Sequence, residues 1–335
     1  MTQPVPPPEA LEVMRMLNGA RVQFALVTAL ELHLFEHLAK GPATAGELAA
    51  RAGVSERGAQ ALLDTFLALD VVKLEAGRYR NGVGADMLLV PGKPNYVGEE
   101  QAPMLRQQVQ WLSHLTEAVR TGKAVVAIDD PSVLAFWTHL TPMIARMNAP
   151  IAAQAVRELG LGEGAPALLD VGGGMAVYSL ALLAANPRAR ATQADWPHIN
   201  AAARALVEKQ GNGARFETID GDFRRSDLGQ GRFDVAVLSN IMHQESPASN
   251  RELLGRLHRA LKPGGHLVVA EFVVEDGRTG PPMPLMFTLN VLPLSDEGKA
   301  YERRELTALV TEAGFAAPRF VPAGPVGTLV IAARA

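Results

Sequence analysis

The sequence has no cysteine, little net charge and no long hydrophobic run, and each of these absences excludes a class of protein. Without cysteine there are no disulfide bridges, no Cys-ligated zinc or iron–sulfur sites and no thiol nucleophile. The 32 basic and 35 acidic residues give a net charge of -3, unlike the basic balance of nucleic-acid-binding proteins. No apolar run approaches the roughly 18 residues that span a bilayer. The Pro-rich start, Met1 to Pro8, has no signal-peptide pattern, so we expect a cytoplasmic protein with no membrane or nucleic-acid partner.

What the sequence does contain is typical of a globular protein of more than one domain. Hydrophobic residues make up 48% and charged residues 20%, which excludes a largely disordered chain. The 335 residues exceed the roughly 250–300 that one hydrophobic core usually serves. Pro- and Gly-rich stretches at 91–95 and 160–166 indicate boundaries. We therefore predict a helical module over 1–95, linking helices over 96–160 and a third part over 161–335.

The first module has the element order of a winged helix. Apolar residues at helical spacing are followed by a capping box at Thr44 and Glu47, a second helix over 55–69 and a hairpin over 71–80. The helix that would enter DNA carries the acidic Glu56 and Asp64, which disfavour contact with several phosphates. The pattern therefore favours a dimerisation or packing module, with a ligand-responsive DNA-binding regulator as the alternative.

From about residue 166 the pattern alternates between strand and helix, which predicts a doubly wound α/β fold with a mainly parallel sheet. Ligands of such sheets bind at the carboxyl ends of the strands. The predicted strands are 167–171, 189–194, 214–219, 233–238 and 266–274, and two closing strands follow at 319–321 and 327–333.

Chemistry-bearing residues follow several of these strands. The first strand leads into Gly172-Gly-Gly174, and Asp195 and Asp222 come at the ends of the second and third strands. The dinucleotide motif Gly-x-Gly-x-x-Gly has Val177 in place of its third glycine, which counts against an NAD-dependent dehydrogenase. His33 and His37 are four residues apart, but the acid between them is Glu36 instead of residue 34, so the metalloprotease motif is not met and no metal site is predicted.

His243 follows the fourth strand and Glu271 ends the fifth, so both are expected at the same edge of the sheet. A histidine that is neutral near pH 7 is the residue type best suited to act as a general base. A carboxylate beside it orients the imidazole and stabilises its charged form. We therefore predict a general base at His243 with Glu271 as its partner.

Five motifs together resemble those of the S-adenosylmethionine-dependent small-molecule O-methyltransferases, the caffeic-acid, hydroxyindole and polyketide type. They are Asp170-Val-Gly-Gly-Gly174, Asp195-Trp-Pro197, Gly221-Asp-Phe223, Leu261-Lys-Pro-Gly-Gly265 and Val268-Val-Ala-Glu271. The resemblance covers most of the chain. It implies an N-terminal winged-helix-like dimerisation domain, followed in the sequence by a Rossmann-like methyltransferase sheet, and hence a homodimer. It implies S-adenosyl-L-methionine as cofactor and S-adenosyl-L-homocysteine as product, held by Gly172, Gly174, Asp195, Trp196, Gly221, Asp222, Phe223 and Ser239.

The same resemblance implies methyl transfer to a hydroxyl of a small aromatic or polyketide-like metabolite. Ala176, Gln244 and Ala300 stand where the family has a glycine and two carboxylates. These departures leave open a non-methylating reaction, hydroxylation or decarboxylation, on the same fold and cofactor. The predicted acceptor pocket consists of Phe136, Trp137, Met143, Met147, Met242, Met286, Phe287 and Asn290.

Overall fold

The structure, a computed structural model, describes residues 7–93, 95–126, 130–324 and 327–334. It divides into two compact units, Met1–Gln110 and Trp111–Ala335. Within the described ranges no helix is long and apolar enough to cross a membrane, and no group of three or more His, Cys, Asp or Glu could hold a metal ion. The predicted domain boundaries at 95 and 160 stay predictions.

The first unit consists of helices and one short hairpin. Its elements are α1 (Pro8–Glu31), α2 (Leu34–Ala39), α3 (Ala45–Ala52), α4 (Glu56–Ala68), β1 (Val72–Glu75), β2 (Arg78–Asn81), α5 (Val83–Leu89) and the start of α6 (Gly98–Leu112). The predicted capping box is confirmed, because the side chains of Thr44 and Glu47 each accept a hydrogen bond from the other's backbone N–H. Phe35 and Phe66 lie in its core with ring centroids 5.3 Å apart.

The second unit is built on a seven-stranded sheet, and the predicted α/β class is confirmed. The strand order is β5-β4-β3-β6-β7-β9-β8; the first five pair in parallel, and β9 is antiparallel to both neighbours. Its elements are α7 (Leu115–Thr121), α8 (Pro131–Glu158), β3 (Ala167–Val171), α9 (Val177–Ala185), β4 (Arg190–Asp195), α10 (Pro197–Lys209), β5 (Phe216–Asp220), β6 (Phe233–Ser239), α11 (Pro247–Ala260), β7 (Leu261–Glu271), α12 (Pro282–Val291), α13 (Arg303–Glu312), β8 (Arg319–Ala323) and β9 (Gly327–Ala333).

The sheet is buried on both faces, which explains the continuous apolar runs of its central strands. One core cluster packs α8, α9 and α10 on the sheet through residues such as Leu182 and Val207. The other packs α11 and α13 through residues such as Leu254 and Leu309. Two buried faces hold the strands in one register, and their carboxyl ends are therefore fixed relative to one another.

The strand order reverses between β3 and β6, since the chain runs from β3 outward to β5 and then returns to β6. Such a switch point leaves a crevice at the carboxyl ends of the two strands. The glycine loop after β3 and the segment after β6 therefore face the same crevice. This reversal positions the candidate site.

The structure differs from the sequence prediction at two places. β7 begins at Leu261 instead of residue 266, and its pairing with β6 shifts register between Leu261 and His266, where Gly264 has a φ of 74°. The chain leaves the sheet after Glu271, three residues before the predicted end. The Pro-rich segment after residue 280 forms α12, for which the sequence offered no periodic pattern.

Candidate active site

The turn after β3 is a glycine loop whose backbone has no room for side chains. Gly172 and Gly174 adopt left-handed conformations, with φ of 65° and 56°. A Cβ on Gly172 would lie 2.4 Å from Ile241 Cδ1, and a Cβ on Gly174 would lie 2.8 Å from Thr141 Cγ2. Glycine is therefore required at both positions by conformation and by space.

Asp195, at the end of β4, is buried beside this loop. Its Oδ2 accepts a hydrogen bond from the Gly174 N–H (3.0 Å), and its Oδ1 accepts one from the Trp196 N–H (2.7 Å). Burial raises the pKa of Asp195, and the two backbone hydrogen bonds act in the opposite direction. Each carboxylate oxygen keeps a further lone pair for a ligand hydroxyl.

The segment after β5 lies against Asp195 and the glycine loop. The Gly221 N–H donates to the Asp195 carbonyl oxygen at 3.0 Å. Phe223 is buried, and its Cε1 lies 3.7 Å from the position that a Cβ on Gly172 would take. Burial acts to raise the pKa of Asp222, but hydrogen bonds from Arg224 outweigh it and lower the pKa.

Two other predicted cofactor-binding residues lie at strand ends. Ser239 ends β6, and its hydroxyl lies 3.5 Å from the buried Tyr178 hydroxyl. Trp196 precedes α10 and is 37% exposed. The structure therefore brings Gly174, Asp195 and Gly221 into direct contact, and it places Ser239 on the neighbouring central strand.

His243 and Glu271 form a buried pair. His243 lies on a 3₁₀ turn, Met242–Gln244, and its Nδ1 is 2.8 Å from Glu271 Oε2. The His243 backbone N–H donates to Glu271 Oε1 at 3.3 Å. A carboxylate only accepts hydrogen bonds, so in the neutral imidazole Nδ1 carries the hydrogen and Nε2 carries the lone pair. The imidazole is held in the tautomer that accepts a proton at Nε2.

Two phenylalanine rings lie next to this imidazole. The Phe287 ring, from α12, meets it edge-on with centroids 4.8 Å apart. Phe272 follows Glu271 directly, and its ring lies 6.2 Å from the imidazole and 4.3 Å from the Phe287 ring. The imidazole is therefore flanked by flat apolar surfaces.

The other predicted pocket residues differ in how exposed their side chains are. Met143 is buried, whereas Met147 and Met286 are 50% and 61% exposed. Met242 is fully buried in a core cluster of the second unit, and its place in the acceptor pocket stays a prediction. Asn290 lies exposed on α12. Phe136 and Trp137 belong to α8, but their side chains lie outside the described residues.

Ala176, Gln244 and Ala300 are the three residues at which the sequence departs from the family pattern. Ala176 adopts a left-handed conformation (φ 56°) and is buried at the start of α9. The Gln244 side chain donates to the Asn240 carbonyl oxygen at 3.0 Å. Ala300 is buried, and its N–H donates to the Thr288 hydroxyl at 3.2 Å.

Sequence reasoning missed three residues around His243, namely Phe272, Asn250 and Tyr301. Phe272 could have been found as the residue after the strand-end Glu271. Asn250 is fully buried and donates through Nδ2 to the Met242 carbonyl oxygen and to the Tyr301 hydroxyl, each at 2.9 Å. Asn250 could have been found because it is a polar residue on the apolar face of a helix.

Comparison with known proteins shows the family of this chain. A family model described as the O-methyltransferase domain matches residues 139–316, and one described as the O-methyltransferase dimerisation domain matches residues 14–91. The 3-hydroxy-5-methyl-1-naphthoate 3-O-methyltransferase of Streptomyces sahachiroi is 32% identical over 88% of this chain and 86% of its own length. The tetracenomycin polyketide synthesis 8-O-methyl transferase of Streptomyces glaucescens is 31% identical over 97% of this chain and 96% of its own.

Solved structures share the fold along the whole chain. Human N-acetylserotonin methyltransferase, solved in complex with S-adenosylmethionine, aligns with a TM-score of 0.83 and 23% identity over 99% of both chains. The family model alone covers more than half of the sequence. Fold, family models and relatives thus agree, and the chain belongs to the O-methyltransferase family.

Proposed function

We propose that this O-methyltransferase moves the methyl group of S-adenosylmethionine to a hydroxyl of a small aromatic or polyketide-like metabolite, with His243 as general base. The observation that carries the proposal is the buried contact of 2.8 Å between His243 Nδ1 and Glu271. That contact leaves Nε2 as the only ring nitrogen able to accept a proton. The names of the two Streptomyces relatives support a fused-ring or polyketide acceptor.

The residues around the glycine loop fit the proposed cofactor. Gly172 and Gly174 let the backbone bend beside Asp195, and the carboxylate of Asp195 has lone pairs for the two ribose hydroxyls. Asp222 and the buried Phe223 offer a hydrogen-bond acceptor and an apolar ring for an adenine. Trp196, Gly221 and Ser239 complete the proposed set of cofactor-binding residues.

S-adenosylmethionine, when bound, supplies a methyl group on positively charged sulfur. The part of this chain is to hold the acceptor hydroxyl and to remove its proton. A phenol with a pKa of about 10 is mostly protonated near pH 7, so transfer of its proton to His243 Nε2 creates the nucleophilic oxygen. The Glu271 carboxylate beside Nδ1 then stabilises the imidazolium that forms.

The acceptor is expected to be flat and apolar. The Phe287 and Phe272 rings lie together beside His243, where they can stack on or edge against an aromatic ring. Met286 lies on the same helix as Phe287, and a thioether adapts to planar ligands of different shape. We therefore place the predicted pocket between α12 and the turn that carries His243.

We also propose that two copies of this chain assemble through α1. Met16 and Leu17, in the segment that matches the dimerisation family model, are 70% and 77% exposed. Large apolar side chains on one exposed helix are typical of an interface. Light scattering tests this: Leu17→Glu should give a monomer, and Arg15→Glu on the same helix should stay dimeric. A monomeric parent protein would contradict the proposal.

Calorimetric titration tests the proposed cofactor. We expect S-adenosylmethionine and S-adenosylhomocysteine to bind to the parent protein, whereas NAD gives no heat of binding. Asp195→Ala should lose this binding, because it removes both ribose acceptors. As a control, Asp227→Ala removes an exposed carboxylate elsewhere on this unit and should leave binding unchanged. Absence of binding to the parent protein would contradict the proposal.

A search for the product then separates methyl transfer from the alternatives. The parent protein is incubated with methyl-labelled S-adenosylmethionine and a panel of hydroxynaphthoates and polyketide phenols. O-methylated product supports the proposal. Cofactor binding combined with hydroxylated or decarboxylated product would instead identify the non-methylating reaction that Gln244 and Ala300 leave open.

A further inference from the structure

Asn250 stands out on α11 because it is a polar residue on the buried face of that helix. Leu253, Leu254 and Leu257 follow it at helical spacing and belong to the core beneath the sheet. Asn250 itself has no exposed surface. A buried amide is costly unless it is hydrogen-bonded, so the partners of Asn250 indicate what it does.

Both hydrogens of the Asn250 amide are used close to the general base. Nδ2 donates to the carbonyl oxygen of Met242, the residue before His243, at 2.9 Å. It also donates to the Tyr301 hydroxyl at 2.9 Å. The Tyr301 hydroxyl donates in turn to the Glu245 carbonyl oxygen at 3.0 Å. The two side chains therefore bind the backbone on either side of His243.

Tyr301 is suited to remain a donor. Its ring is buried, and burial raises the pKa of its hydroxyl to about 12. The hydroxyl thus keeps its proton throughout the pH range in which a histidine acts as a base. The link from Asn250 to Glu245 does not depend on pH in that range.

Other contacts hold the remaining sides of the same turn. The Ser295 hydroxyl donates to the Gln244 carbonyl oxygen at 2.9 Å. Glu271 accepts from the His243 backbone N–H and contacts its ring. Since the contact between the His243 ring and Glu271 depends on where the turn lies, groups that hold the backbone also set the direction of Nε2.

One feature argues against a purely stabilising role for Asn250. Its Oδ1 is buried without a hydrogen-bond partner, so half of the amide is unsatisfied. An unsatisfied buried acceptor lowers stability, and an apolar residue among the leucines would avoid that loss. What Asn250 provides is a hydrogen bond to the Met242 carbonyl oxygen and one to the Tyr301 hydroxyl, which in turn binds the Glu245 carbonyl oxygen.

We infer that Asn250 and Tyr301 are positioning residues, which hold the turn of residues 242–245 so that His243 stays on Glu271 with Nε2 toward the acceptor. The catalytic part of this inference rests on the proposed function of His243. The structural part, that the pair maintains the contact between His243 and Glu271, is independent of it.

The test compares Asn250→Ala and Tyr301→Phe with a matched control, Asn186→Ala. Asn186 is also a buried asparagine whose Nδ2 donates at 3.0 Å to two carbonyl oxygens of one loop, those of Leu161 and Glu163. Asn186→Ala removes hydrogen bonds to the backbone of a loop, as Asn250→Ala does, without touching the turn of His243. Tyr301→Phe keeps the ring and removes only the hydroxyl, so it serves if Asn250→Ala does not fold.

The first readout is the imidazole resonance of His243 in protein labelled with ¹⁵N-histidine, assigned by its loss in His243→Gln. We expect a slowly exchanging Nδ1–H signal in the parent protein and in Asn186→Ala. The signal should be broadened or lost in Asn250→Ala and Tyr301→Phe. Retention of the signal in both turn variants, or its loss in Asn186→Ala as well, would overturn the inference.

The second readout is methyl transfer to whichever panel phenol the parent protein methylates. We expect kcat to fall about 10- to 100-fold in the turn variants, since misplacement by about an ångström has such effects. The affinity for S-adenosylmethionine should change less than about twofold, because Asn250 and Tyr301 lie outside the cofactor site. An unchanged kcat would contradict the catalytic part. If the parent protein does not transfer methyl groups, the resonance test still decides the structural part.

Discussion

Replacing Asp170 by asparagine should favour the folded state more at high pH than at low pH. Asp170 is fully buried behind the glycine loop. Its Oδ2 accepts hydrogen bonds from the Ser179 N–H (3.2 Å) and hydroxyl (2.9 Å), but its Oδ1 has no partner. Burial raises the pKa of Asp170 from 3.8 to about 6. The folded state therefore disfavours the charged carboxylate more than the unfolded state does.

The size and sign of the effect follow from linkage. A pKa raised in the folded state means that stability is fully present below pH 3.8 and is lost as pH rises toward 6. With 1.36 kcal/mol for each pKa unit, the loss is about 3 kcal/mol at pH 8 and about 1.5 kcal/mol at pH 5. Asparagine is neutral and keeps an oxygen for Ser179. Asp170→Asn should therefore gain about 1.5 kcal/mol more at pH 8 than at pH 5.

Urea unfolding of the parent protein and of Asp170→Asn at the two pH values measures this difference. Using the difference between pH values removes any constant effect of exchanging the side chain. Asp227→Asn, an exposed carboxyl, is the control and should show no comparable pH-dependent gain. Equal effects of Asp170→Asn at pH 5 and pH 8 would refute the reasoning.

Two further predictions concern the glycine loop. Gly172→Ala should lower the free energy of unfolding by at least about 2 kcal/mol in the same assay, because φ is 65° and the new Cβ would lie 2.4 Å from Ile241. Gly162→Ala is the control and should have little effect, because a Cβ on Gly162 would have no atom within 4 Å. Ala176→Gly should change the free energy of unfolding by less than about 1 kcal/mol. Glycine adopts the left-handed conformation of residue 176 without strain, which stabilises the folded state. This gain is offset because the variant loses a buried methyl group and has a more flexible unfolded chain. A larger change would show that Ala176 is strained or packed differently.

Much of the second unit could be predicted because its signals are local. The central strands are continuous apolar runs, since both faces of the sheet are buried, and the glycine loop needs glycine for conformation and space. The carboxyl ends of parallel strands meet at one edge, so Asp195, His243 and Glu271 could be placed at the site from their positions in the sequence alone.

The remaining features could not be predicted because they depend on tertiary contacts. α12 is apolar nearly all round and rich in proline, so its sequence has no helical period. The role of Asn250 depends on a carbonyl group eight residues earlier and on Tyr301, 51 residues later. The burial of Met242, which the sequence predicts in the acceptor pocket, likewise depends on tertiary packing, because this side chain belongs to a core cluster.

The most direct test of the account is the rate of O-methylation by His243→Ala and Glu271→Gln, measured with a panel phenol that the parent protein methylates. Each variant is first shown to bind S-adenosylmethionine as the parent protein does. We expect His243→Ala to lower kcat by about 10²- to 10⁴-fold, with a smaller loss for Glu271→Gln. Full activity of His243→Ala would contradict the account, because no proton acceptor would then be needed where the structure places one.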